Sequence, residues 1–120
     1  MDKTIVAVDP GICGFTCRIE GWRKDKRTAG VTIVESQCEM INKMARTIDE
    51  IAIKDLFRPI TRNPIFVSAE RACCHTACPV PAAVVKTLEV VLGLAVAKNV
   101  SFLFSTEAAE PDGESKCRVK

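Results

Sequence analysis

The chain predicts an α+β domain: a three-stranded antiparallel meander, then two or three helices and a closing strand, with the helices on one sheet face. Two observations carry this. Apolar residues recur with a period of two in the N-terminal part, between turn signals, and with a spacing of three and four in the middle, behind helix-opening residues. Strands grouped ahead of helices, rather than alternating with them, separate α+β from a parallel α/β sheet.

Residues 3–9 (Lys-Thr-Ile-Val-Ala-Val-Asp) are rich in β-branched side chains and stop at Pro10-Gly11, which predicts a strand ended by a turn. The turn continues through Gly11-Ile12-Cys13-Gly14. Residues 15–22 alternate, Phe15, Cys17 and Ile19 against Thr16, Arg18 and Glu20, the pattern of a half-buried strand. Charged residues 23–27 form a hairpin tip, and residues 30–35 give a third strand with Val31 and Ile33 inward. Ser36 and Glu39 have capping-box spacing. Behind them Met40, Ile41, Met44, Ala45, Ile48, Ile51 and Ala52 predict an amphipathic helix. A connection with Pro59 leads to Asn63-Pro64, an N-cap followed by proline in the first helical position, and a short helix from 64 to about 73. Residues 75–78 link it to a helix over 80–96, apolar nearly all round. Residues 99–105 alternate Val100, Phe102 and Phe104 with Ser101, Leu103 and Ser105, the closing strand. Residues 1–106 thus make one cysteine-rich domain and 107–120 a polar, flexible tail that contains Cys117.

Composition narrows the function. With 17 basic and 15 acidic residues the net charge is +2, and aromatics are 5 %, so neither a phosphate-binding field nor a stacking platform for nucleic acid is expected. No apolar run is long enough for a membrane span, and the N-terminus lacks the pattern of a signal peptide. A cytoplasmic setting follows, where disulfides seldom persist. Seven cysteines there call for metal binding, redox chemistry or burial. A phosphate loop and a serine nucleophile elbow are both missing, and no catalytic residue is assigned.

Position separates ligand-like cysteines from filler. Cys13 lies between two glycines, where backbone can wrap an ion closely. Cys38 falls in the first turn of a helix and Cys78 directly before another, where free amides and the helix dipole favour thiolate. Cys74 precedes Cys78 by four residues, a chelating spacing. Cys13, Cys38, Cys74 and Cys78 therefore form the expected ligand set, for zinc or an iron–sulfur cluster. Cys73 and His75 are alternates, and His75 could instead activate a thiol. Cys17, on an inward strand face, reads as core.

Thr76-Ala77-Cys78-Pro79 ahead of a helix resembles the Thr-Ser-Cys-Pro-Asp signature of TSCPD domains. Gly11-Ile12-Cys13, Cys38 and Cys74-His75-Thr76-Ala77-Cys78-Pro79 follow the order of their small four-cysteine relatives. The plan is also similar to that of iron–sulfur scaffold proteins. Over residues 6–104, including the Cys78-Pro79-Val80-Pro81 stretch, the chain resembles an uncharacterised family of small proteins from anaerobes. The resemblance implies thiolate metal binding at Cys13, Cys38, Cys74 and Cys78. Val80 replaces the signature's Asp, and Phe15 stands where scaffold proteins carry an Asp that loosens the cluster, so a statically held metal fits better than delivery.

Three functions are then expected in turn. The first is metal or cluster handling, or service as accessory to a redox enzyme. The second is thiol–disulfide exchange at Cys74 and Cys78. The third is a structural or interaction domain with buried cysteines. Partners are limited to another protein or a second copy, since the apolar last helix suits either a central position or a homodimer interface.

Overall fold

The computed structural model describes residues 3–107. The architecture is α+β: an N-terminal antiparallel meander followed by helices. Strands β1 (Lys3–Val8), β2 (Cys17–Arg23), β3 (Thr28–Val34) and β4 (Ile51–Ala52) form one antiparallel sheet in the order β1-β2-β3-β4. Register aligns Val6, Ile19 and Ile33 across the first three strands, and Val8 with Cys17 at the end of β2. These side chains face the helices, and Ile19 is fully buried.

Polar and aromatic residues occupy the opposite face. Lys3 bonds Glu20 at 3.0 Å, and Arg18 bridges Glu20 at 3.1 Å and Glu35 at 2.9 Å. The Lys3 bond, seconded by Arg18, holds the Glu20 carboxyl below the usual carboxylate range. Exposed pairs of this kind add little stability. Trp22 lies flat over Gly30, where a Cβ would come within 2.5 Å of the indole.

Three helices cover the inner face. Helix α1 (Glu39–Arg46) and helix α2 (Pro64–Arg71) pack together, and helix α3 (Val80–Val91) crosses β1, β2 and β3 while touching α2. Val80, Val84, Thr87 and Leu88 of α3 are buried against the sheet. The approach is closest at Gly21, where an added Cβ would stand 2.9 Å from Thr87 Cγ2 and 3.1 Å from Val91 Cγ2. The Thr87 hydroxyl is satisfied within its own helix, donating to the Ala83 carbonyl at 2.8 Å.

Several expected boundaries are corrected. The helix expected through Ala52 stops at Arg46, because Thr47 and Ile48 are weak helix formers and the chain then pairs Ile51 with Ala29 on the sheet edge. Burial of Ile51 thus comes from a strand; the apolar spacing alone fits either structure. Ser36 does not close a capping box with Glu39. Cys38 is the N-cap, and Ser36 Oγ accepts the Cys38 amide at 3.2 Å. Helix α3 ends at Val91, not at 96, because Gly93 turns left-handed at φ +77 and the Leu94 amide reaches back to the Glu89 carbonyl at 2.8 Å. The closing strand over 99–105 does not form. A strand needs a ladder partner, and residues 94–107 are exposed and paired to no strand among the described residues. Cys117 and the rest of the expected tail beyond 107 lie outside the described residues.

Asn63 behaves as expected: its side chain caps α2 by accepting the Ile65 amide at 2.9 Å, with Pro64 at the first helical position.

Candidate functional site

The cysteine-bearing segments meet at one end of the sheet, where β2 begins and where α1 and α3 open. Cys38 is the N-cap residue of α1, in extended backbone, and it makes no side-chain capping bond. The first amides of α1 are therefore left without an intrahelical or capping acceptor. Cys74 emerges from the end of α2 and directs its sulfur to the Met40 carbonyl in that same opening turn, at 3.8 Å. Cys78 closes a turn with its amide on the His75 carbonyl at 3.1 Å, immediately before α3. Cys38, Cys74 and Cys78 are half-buried and packed against the hydrophobic core.

Electrostatics ties these thiols together. Burial raises the Cys74 thiol, and the neighbouring Cys78, Cys38 and Cys73 raise it further. Burial likewise raises Cys78; the Val80 amide pointing at it pulls the other way, while Cys38 and Cys13 add to the rise. The helix field expected to depress Cys78 is thus present but outweighed by desolvation. Cys17 is pushed up to about 11 by burial, then by Cys78 and Cys38. Spacing had placed Cys17 in the core, and it is buried there, yet it also adjoins the other sulfurs. The rise it takes from Cys78 and Cys38 reveals that, and no sequence motif marks it.

Cys13 sits in an exposed turn built by Gly11 and Gly14, both left-handed, with the Gly14 amide on the Gly11 carbonyl at 2.9 Å. Asp9 serves this turn, its carboxylate accepting the Gly11 amide at 3.0 Å. Cys73 and His75 are exposed. Charge repulsion reaches further than a metal–sulfur bond of about 2.3 Å. Among the described residues no three His, Cys, Asp or Glu side chains already stand in an arrangement that would hold an ion. The sulfurs share a neighbourhood without forming a ready-made site.

Backbone strain gathers at the same end. Among the described residues Glu35 and Cys73 are the non-glycine residues with positive φ, at +60 and +62, and each adjoins a segment that delivers a cysteine.

No helix among the described residues is long and apolar enough to cross a membrane. The chain belongs to a family of unknown function, DUF6951, whose model matches residues 4–104. No curated protein and no solved structure matches it.

Proposed function

We propose that this family member holds a thiophilic metal ion or an iron–sulfur cluster through cysteine thiolates, in a reducing cytoplasmic setting. Cys13, Cys38, Cys74 and Cys78 are the ligands, with Cys73 and His75 as alternates. Its role is metal or cluster handling, or service to a redox partner. The observation that carries the reading is that thiols from remote segments stand near one another at one end of the core, Cys78 and Cys38 raising Cys17 and Cys74, and Cys38 and Cys13 raising Cys78. The donors are soft and half-buried, which suits zinc or iron–sulfur chemistry. A bound cation supplies positive charge where neighbouring thiolates otherwise repel one another.

The residues divide the work. Cys38 and Cys78 present sulfur at helix starts, and at Cys78 the Val80 amide favours thiolate against the larger effect of burial. Cys74 approaches from α2, and the glycine-flanked turn allows Cys13 to close from the solvent side. Buried Cys17 lines the inner wall. Thiol–disulfide exchange at Cys74 and Cys78 is the weaker reading, because a fast redox thiol needs a lowered pKa and burial raises both. Raised thiols must shed protons to bind metal, so affinity is expected to climb with pH.

Elemental analysis and ultraviolet–visible spectra of anaerobically purified protein test this. Stoichiometric zinc, or iron with a visible sulfur-to-iron band, is expected, with loss in Cys38→Ser and in Cys78→Ser. Full metal content in both variants, or none after reconstitution of the native chain, overturns the assignment.

A further inference from the structure

We propose that two copies of the chain exchange residues 99–105, each segment adding as a strand to the free edge of β1 in the other copy. The inference is independent of the thiolate site. It begins from two unsatisfied features in one chain. Among the described residues β1 has a neighbour on one side only. Its sequence, Lys-Thr-Ile-Val-Ala-Val, has no proline and a charge only at its first residue, so the edge lacks the usual protection against pairing. Ile5 on this edge strand is 58 % exposed.

The second feature is the segment itself. Val100, Phe102, Leu103 and Phe104 are exposed, Phe104 almost completely at 96 %. Four such side chains in water are costly. The segment alternates like a strand and has no charge between Val100 and Ser105. All of it but Ser105 lies inside the stretch that matches the family, which ends at residue 104, so it is part of the domain rather than an appendage.

Donor and acceptor fit each other. Laid along β1, the segment would place Val100, Phe102 and Phe104 over the half-buried inner face around Val6, and Leu103 beside exposed Ile5 on the other. Main-chain bonds along an open edge supply affinity, and alternate side chains supply register. The chain's own β1 edge is open, yet its own segment does not occupy it. A second copy offers the same edge and the same strand, and reciprocal exchange closes by a two-fold axis.

Light scattering on the full chain across a concentration series is expected to give a dimer. Phe102→Glu with Phe104→Glu is expected to weaken it by at least about a hundredfold. Metal content should stay unchanged, and circular dichroism should lose no more than the strand that residues 99–105 add in the dimer. Should the double variant misfold, mixed isotope-labelled and unlabelled native protein decides: nuclear Overhauser contacts between copies should join 99–105 to β1. A native monomer overturns the proposal, including one whose segment folds onto its own edge. So does a dimer that survives the double substitution, an open polymer, or a dimer without those contacts.

Discussion

Helices α2 and α3 end in the same hydrogen-bonded motif with different residues at its key position. In α3 the Gly93 amide bonds the Val90 carbonyl at 3.1 Å and the Leu94 amide the Glu89 carbonyl at 2.8 Å. In α2 the Cys73 amide bonds the Glu70 carbonyl and the Cys74 amide the Ala69 carbonyl, both at 3.0 Å. The left-handed position is Gly93 in one and Cys73 in the other. Glycine takes that conformation without strain, and a residue with a Cβ does not. The helix starts differ in the same way. Asn63 caps α2 with its side chain, whereas Cys38 occupies the N-cap of α1 and makes no such bond. The start of α2 and the end of α3 carry the residue that local stability prefers; the end of α2 and the start of α1 carry cysteine. Local departures of this kind concentrate at functional sites.

Substitutions can sharpen that contrast or break it. The largest effect belongs to the end built for stability. Leu88→Ala, at a fully buried position of α3, should cost about 2–5 kcal/mol in denaturant unfolding and leave metal stoichiometry intact. Next is alkaline pH in the metal-free protein. Cys17 releases its proton near its ordinary 9.0 when unfolded but holds it to about 11 when folded. Its stabilisation is therefore complete below pH 9 and lost as pH rises towards 11, on the order of 2 kcal/mol. Urea midpoints of native protein and Cys17→Ala at pH 8 and 11 should diverge accordingly; parallel lines would show the thiol to be unperturbed. Cys73→Gly should stabilise the metal-free chain by about 0.5–1 kcal/mol, read as a raised midpoint. The smallest effect is at the cap: Cys38→Ser should gain about 0.5 kcal/mol without metal while abolishing metal binding. A loss of stability in both cysteine variants would dissolve the contrast between the two kinds of helix end.

Much of this was readable in the chain before any fold was in hand, and the failures have physical causes. Alternation in 15–22 and 30–35 marks the meander because one sheet face is buried and the other is wet. Asn63-Pro64 marks α2 because cap chemistry is local. The three-and-four spacing of Ile51 and Ala52 suits a helix and a short edge strand alike, and only the neighbouring β3 decides between them. Residues 99–105 have the pattern of a strand but no partner among the described residues, and hydrogen-bond ladders are not a local property. Cys13 is marked by its glycine turn, Cys38 and Cys78 by helix starts, and Cys74 by its spacing from Cys78. That Cys17 adjoins them depends on strand register, and that Glu35 and Cys73 are left-handed depends on how the chain must turn to deliver the sulfurs.

The amino-acid order alone determined the layers, the buried stripes and the well-capped helix start, since periodicity and capping act within a few residues. Tertiary packing decided which thiols adjoin one another and how strongly desolvation opposes the helix field at Cys78. It also decided that the last apolar stretch is left without a strand to pair with. Those outcomes depend on distances between segments far apart in the chain, and these are fixed only when the helices settle onto the sheet.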